Sequence, residues 1–139
     1  MGLTGYLADK SALARLHLPP VQDALVPLME RGLVWMFGVT ELEMLYSARN
    51  IDERARMRAQ LEASLNRATE PENLWALAAE IQEALTEKGQ HRSASIADLI
   101  VAATARAAKL TVLHYDNDFD TIAAFTAQPT QWIVSAGTV

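Results

Sequence analysis

The chain has 139 residues, half of them hydrophobic and 21% charged, with no cysteine and a formal net charge of −5. Such a chain is long enough for one domain around a hydrophobic core, residues 1–139 together, and its composition is that of a globular rather than a disordered protein. The missing cysteines exclude disulfide frameworks, thiolate zinc sites and cysteine nucleophiles, and the acidic balance argues against nucleic-acid binding through a broad basic face.

In chain order, Gly5 to Ala8 is a short apolar stretch cut off by Asp9, the pattern of a buried strand and a turn. A helix carrying Leu13 and Leu16 follows and is broken by Pro19-Pro20. Val21, Leu25, Leu28 and Met29 then keep helical spacing until Gly32, although Pro27 argues against an unbroken helix. Leu33 to Phe37 predicts a second strand, closed by Gly38, after which Thr40 opens a helix with Leu42, Leu45 and Tyr46. A further helix follows Asn50, with Met57, Leu61 and Leu65 on one face and Arg54, Arg56, Arg58 and Arg67 mostly elsewhere.

Thr69-Glu70-Pro71 reads as the entry to a helix with proline in its first turn and an apolar stripe of Leu74, Leu77, Ala78, Ile81 and Leu85, ended by Gly89. Ser95 opens an alanine-rich helix to about Lys109. Leu110 to Leu113 is strand-like, Phe119 to Phe125 a short helix, and Gln131 to Val134 a last strand. Short apolar strands alternating with helices predict an α/β fold with a mainly parallel sheet. The longest apolar run, around Gly32 to Val39, is too short to cross a bilayer, and Met1 to Ala8 lacks the basic start of a signal peptide. No membrane association and a cytoplasmic location are therefore expected.

The acids fall at element boundaries. Asp9 falls just after the first strand, Glu43 in the first turn of the helix after the second, Asp98 in the first turn of the alanine-rich helix, and Asp116 just after the third strand, with Asp118 and Asp120 following it. In an open parallel sheet the ligand site lies beyond the carboxyl ends of the strands, so these acids are directed to one edge. Each has a plain alternative. Thr40 with Glu43 and Ser95 with Asp98 both fit the capping box, and Asp9 and Asp118 fit single N-caps. As a group the acids would repel one another without a cation, and their hard oxygens select Mg²⁺ or Mn²⁺. Two such ions would also cancel four of the negative charges.

The segments Leu7 to Leu13 (with Asp9, Lys10 and Ser11), Val39 to Ala48 (with Thr40, Glu41 and Glu43), Ile96 to Ala105 (with Asp98) and Leu113-His114-Tyr115-Asp116-Asn117-Asp118-Phe119 resemble, in order, the four motifs of the PIN domain, and particularly those of the VapC toxins of VapBC toxin–antitoxin pairs. The resemblance covers most of the chain. It departs from the pattern at Lys10, where a small hydroxyl residue is common, and at His114-Tyr115, where the approach to the fourth acid usually contains threonine.

The resemblance implies a PIN-like three-layer fold and a cytoplasmic endoribonuclease that hydrolyses RNA and inhibits translation. Asp9, Glu43, Asp98 and Asp116 would be its catalytic metal ligands for Mg²⁺ or Mn²⁺, with Asp118 as an accessory ligand. It also implies a homodimer, a VapB-like antitoxin, and an RNA target of the transfer or ribosomal class. Two other readings are an inactive PIN-like interaction module and a phosphoryl-accepting regulatory domain. The latter usually needs a second acid beside Asp9, where Lys10 stands. Ser11 either holds Asp9 or water or simply starts a helix. Lys10 and Arg92 suit phosphates or solvent, and Arg54, Arg56 and Arg58 a basic ridge or a solvated face. His17, His91 and His114 have no metal-ligand spacing and read as surface or packing residues. Trp35, Trp75 and Trp132 fit core or interface positions.

Overall fold

The computed structural model describes residues 5–139. Its elements are β1 (Tyr6–Ala8), α1 (Lys10–Leu13), α2 (Pro19–Glu30), β2 (Val34–Met36), α3 (Gly38–Leu45), α4 (Ile51–Ser64), β3 (Asn66–Arg67), α5 (Leu74–Glu87), α6 (Ile96–Ala108), β4 (Thr111–His114), α7 (Asp118–Thr126) and β5 (Thr130–Trp132). The strands form one sheet in the order β3-β2-β1-β4-β5, and every pairing is parallel. Among the described residues no helix is long and apolar enough to cross a membrane.

Successive strand residues point to opposite faces, and this alternation divides the core in two. Leu7 and Val112 face a cluster with Leu74, Ile81, Leu85, Leu99, Val101, Phe119 and Ile122, so α5, α6 and α7 cover that side. Ala8, Val34, Met36 and Leu113 face Leu13, Val21, Leu25 and Leu65 on the other side, under α1, α2 and the end of α4. The result is the expected three-layer α/β arrangement. Ile81 and Leu85 are fully buried from the predicted stripe, each contributing about 1.5–3 kcal/mol.

Several boundaries differ from the sequence expectation. Pro19 and Pro20 occupy the first turn of α2 instead of ending a helix there, because the first helical positions have no intrahelical N–H partner to lose. The same helix runs unbroken through Pro27, which is exposed. The carbonyl four residues back belongs to Asp23, also exposed, so water can meet it. Thr40 does not open α3: Phe37 is the N-cap and Thr40 is already helical and buried. Its Oγ1 has no hydrogen-bond partner. The expected Thr40–Glu43 capping box is therefore absent, and Glu43 stands in the second turn. Helix α5 begins at Leu74 with Asn73 as N-cap, so Pro71 lies in the preceding turn. The two-residue β3 was not expected at all; its polar Asn66 and Arg67 pair with Trp35 and Met36.

Candidate active site

The central strand β1 has β2 on one side and β4 on the other, so the strand order reverses between β1 and β4. The crevice at such a reversal, beyond the carboxyl ends of the strands, is where open α/β sheets bind ligands. Here a cleft of about 450 Å³ is lined by Asp9, Lys10, Ser11, Ala14, Arg15, Glu43, Ser95, Asp98, Asp116 and Asp118. All five acids named from the sequence as candidate ligands thus share one cleft.

Asp9 caps α1. Its Oδ2 accepts from the backbone N–H of Ser11 at 3.0 Å and from the Ser11 hydroxyl at 2.7 Å. The same hydroxyl accepts from the Tyr115 N–H at 2.8 Å, which ties the ends of β1 and β4 together across the crevice. Of the two readings of Ser11, the structure carries the one in which it holds Asp9.

Asp98 is both a cap and a lining residue. Its Oδ2 accepts from Ser95 N–H at 3.0 Å while its own N–H donates to Ser95 Oγ at 3.1 Å, completing the capping box predicted there. The other carboxylate oxygen takes no part in the box, so capping leaves Asp98 able to serve the cleft. Helix α6 feeds β4 and runs antiparallel to it, which brings the N-terminus of α6 to the carboxyl edge of the sheet.

Asp116 follows β4, and its Oδ1 accepts from the Asp118 N–H at 2.9 Å. Asp118 is the first residue of α7 and not its cap, which is Asn117. Asp120 is turned away: its carboxylate accepts from the Trp132 indole N–H at 3.0 Å.

Like charges at close range raise the cost of ionising each acid. Asp98, Asp116 and Asp118 each offer an oxygen within 4.8 Å of the others, a spacing one divalent ion can bridge. Burial, then the nearby charges of Asp9 and Asp116, push the Asp98 carboxyl up to about 6, against the lowering effect of its bonds to Ser95. Burial, then Asp116, raises Asp118. Burial, then Asp9, raises Glu43, with the Lys10 ammonium opposing. An all-oxygen donor set in which Glu43, Asp98 and Asp118 are held above their ordinary range fits a hard divalent cation.

The PIN domain family matches residues 6–124, most of the chain and all of this cleft. The chain belongs to the PIN domain family. It is 49% identical over 135 residues to ribonuclease VapC21 of Mycobacterium tuberculosis, covering 97% of this chain and 98% of that one. Among solved structures it is similar to VapBC2 from Rickettsia felis bound to a promoter DNA fragment, with TM-score 0.75, 15% identity, and 91% and 97% of the two chains covered. It is also similar to VapBC-5 from Mycobacterium tuberculosis, a member of the VapBC family of toxin–antitoxin systems, with TM-score 0.60, 23% identity, and 96% and 100% covered. At these identities the structural likenesses establish the fold.

Within this PIN domain the histidines take the packing and surface places expected of them. His17 and His91 are exposed, and His114 is fully buried against the rings of Phe119 and Trp132. His114 Nδ1 accepts from the Asp116 N–H at 3.1 Å, which fixes the start of the fourth motif. Its Nε2 has no partner among the described residues, and burial lowers its pKa. Arg92 is exposed and does not line the cleft. Arg58 pairs with Glu62 at 3.1 Å and, with Arg67, serves the buried Glu41, so two of the arginines on and after α4 are structural. Trp35 packs against the core, whereas Trp75 is 70% exposed. Sequence reading missed Arg15. Its only local signal was a position six residues after Asp9, too ordinary to single it out.

Proposed function

We propose that the chain, acting as one domain over residues 1–139, is a Mg²⁺- or Mn²⁺-dependent endoribonuclease and the toxin of a type II toxin–antitoxin pair. The observation that carries this reading is the convergence of Asp9, Glu43, Asp98, Asp116 and Asp118 on one cleft at the sheet's switch point. Family membership and near-half identity to a named ribonuclease over almost the whole chain support the same conclusion.

Asp9, Glu43, Asp98 and Asp116 are assigned as the ligands, with Asp118 as the accessory one. A bound divalent cation would neutralise charge on the scissile phosphate and make a water acidic enough to attack it near neutral pH. The protein's part is to hold the carboxylates ready. The Ser11 hydroxyl and N–H fix one oxygen of Asp9, the Ser95 N–H fixes one of Asp98, and the Asp118 N–H fixes one of Asp116. Among the described residues no histidine lines the cleft, so proton transfer falls to carboxylates and water.

The partner assignments are a VapB-like antitoxin and a second copy of the chain. An apolar groove lined by Leu16, Met29, Met44, Met57 and Leu61 suits an amphipathic segment of the antitoxin. Exposed Leu42, Tyr46 and Ile51 on α3 and α4 extend the apolar surface available for association. The RNA is of the transfer or ribosomal class, and the place of action is the cytoplasm. The test is cleavage of structured RNA by purified protein with Mg²⁺ or Mn²⁺, with EDTA, and with Asp98→Asn. Cleavage abolished by chelator and by the substitution is expected; full activity of the variant would overturn the ligand assignment.

A further inference from the structure

Among the described residues the cleft is lined by five carboxylates and two cationic side chains, Lys10 and Arg15. An arginine beside so many acids would be expected to pair with one of them. Arg15 does not: it makes no ion pair among the described residues. Its Nη1 donates instead to the Ser11 carbonyl at 2.8 Å, and the guanidinium lies over the Tyr115 ring, 4.6 Å from its centroid.

That seat is rigid. The Tyr115 N–H donates to Ser11 Oγ, the ring meets Trp132 edge-on at 5.2 Å and 87°, and the phenol oxygen is hydrogen-bonded to the backbone of Val139. A guanidinium carries five N–H donors, and one of them is engaged here. Two neutral groups therefore hold a full positive charge in place, with its remaining donors unspent among the described residues and without cancelling a carboxylate. Half-burial of Arg15 means that much of the side-chain entropy has already been lost before any ligand arrives.

We propose that Arg15 is an RNA-binding residue that grips a backbone phosphate next to the one being cut and so sets the strand on the carboxylate cleft. This rests on the ribonuclease reading above. A polyanion approaching five acids needs a fixed cation at the rim, and a planar guanidinium offers the forked geometry that phosphate oxygens accept. Lys10 is the less suited of the two, because its side chain is exposed and its ammonium lacks the planar fork.

The test is steady-state RNA cleavage at fixed Mg²⁺ over a KCl series, for the wild type, Arg15→Gln, Arg15→Lys and Lys109→Gln. One phosphate contact on a single strand contributes about 0.7 to the slope of log affinity against log salt, equivalent to about fivefold at 0.1 M. Arg15→Gln should therefore raise KM about fivefold near 0.1 M KCl and flatten its salt dependence by about 0.7, with kcat changed less. Arg15→Lys should keep the slope, since it keeps the charge. Lys109→Gln, at the opposite end of α6 from Asp98, should leave KM and slope as in the wild type. If Arg15 only packs against Tyr115, Lys and Gln should be equally defective and neither should move the slope; that result overturns the proposal. A wild type that cuts RNA while Arg15→Gln keeps both KM and slope also overturns it, and leaves the ribonuclease reading standing. A wild type that cuts no RNA removes the ribonuclease reading and this inference together.

Discussion

Replacing Asp98 by Asn separates its two roles, because Asn keeps an oxygen for the Ser95 N–H but carries no charge. In the metal-free protein the Asp98 carboxyl is raised from 3.8 to about 6. Between those values the folded chain retains a proton that the unfolded chain has released. Stability therefore falls as pH rises through this window and is level above it. At about 1.4 kcal/mol per pH unit, the rise corresponds to about 3 kcal/mol of lost stability at neutral pH. Asn avoids that loss but gives up a negative charge beside the N-terminus of α6, which contributes up to about 1 kcal/mol, leaving a net gain of about 2 kcal/mol, or roughly 6–8 °C in Tm. Thermal unfolding in EDTA should thus show Asp98→Asn more stable than wild type at about pH 7.5, with the gain absent near pH 4. Saturating Mg²⁺ or Mn²⁺ should reverse the order: at about a hundred times Kd it adds about 2.7 kcal/mol to the protein that binds it. If the variant is less stable than wild type by the same amount at both pH values and with or without metal, Asp98 is only a cap and the electrostatic reasoning fails.

Thr40→Val removes the hydroxyl that is buried without a partner and keeps the shape, so chemical denaturation should show a gain of about 1 kcal/mol; a loss would mean that Oγ1 is satisfied in solution. Gly5→Ala would place a Cβ 2.6 Å from Trp35 Cζ3 and 2.8 Å from Leu110 Cδ2, and should cost about 1–3 kcal/mol by the same measurement. An unchanged stability for Gly5→Ala would show that Trp35 moves freely.

Much of the site was legible because its signals are local. Asp9, Glu43, Asp98, Asp116 and Asp118 each stand at or near a change from strand to helix or at a helix start, and an α/β chain sends such positions to one edge. The Ser95–Asp98 box formed as predicted, since both partners lie within one turn. The Thr40 box failed although its residue types were right, because a cap needs non-helical backbone and α3 starts three residues earlier, at a Phe37 with no capping side chain. The fourth motif singled out Asp118 and left Asp120 aside; the structure adds that the Asp120 carboxylate accepts from Trp132, twelve residues on.

What the sequence determined by itself was the apolar period of each long element, the alternation of helices with the four apolar strands, and the set of acids available to a cation. Those are properties of neighbouring residues, and burial of apolar side chains enforces them wherever the element packs. The tertiary structure decided the rest. Strand β3 exists only because its polar backbone pairs with β2, Ser11 reaches Asp9 and Tyr115 at once across 104 residues, and Arg15 is held by Tyr115 instead of by an acid. Each of these is a directional contact between distant segments, which hydrophobic periodicity does not encode.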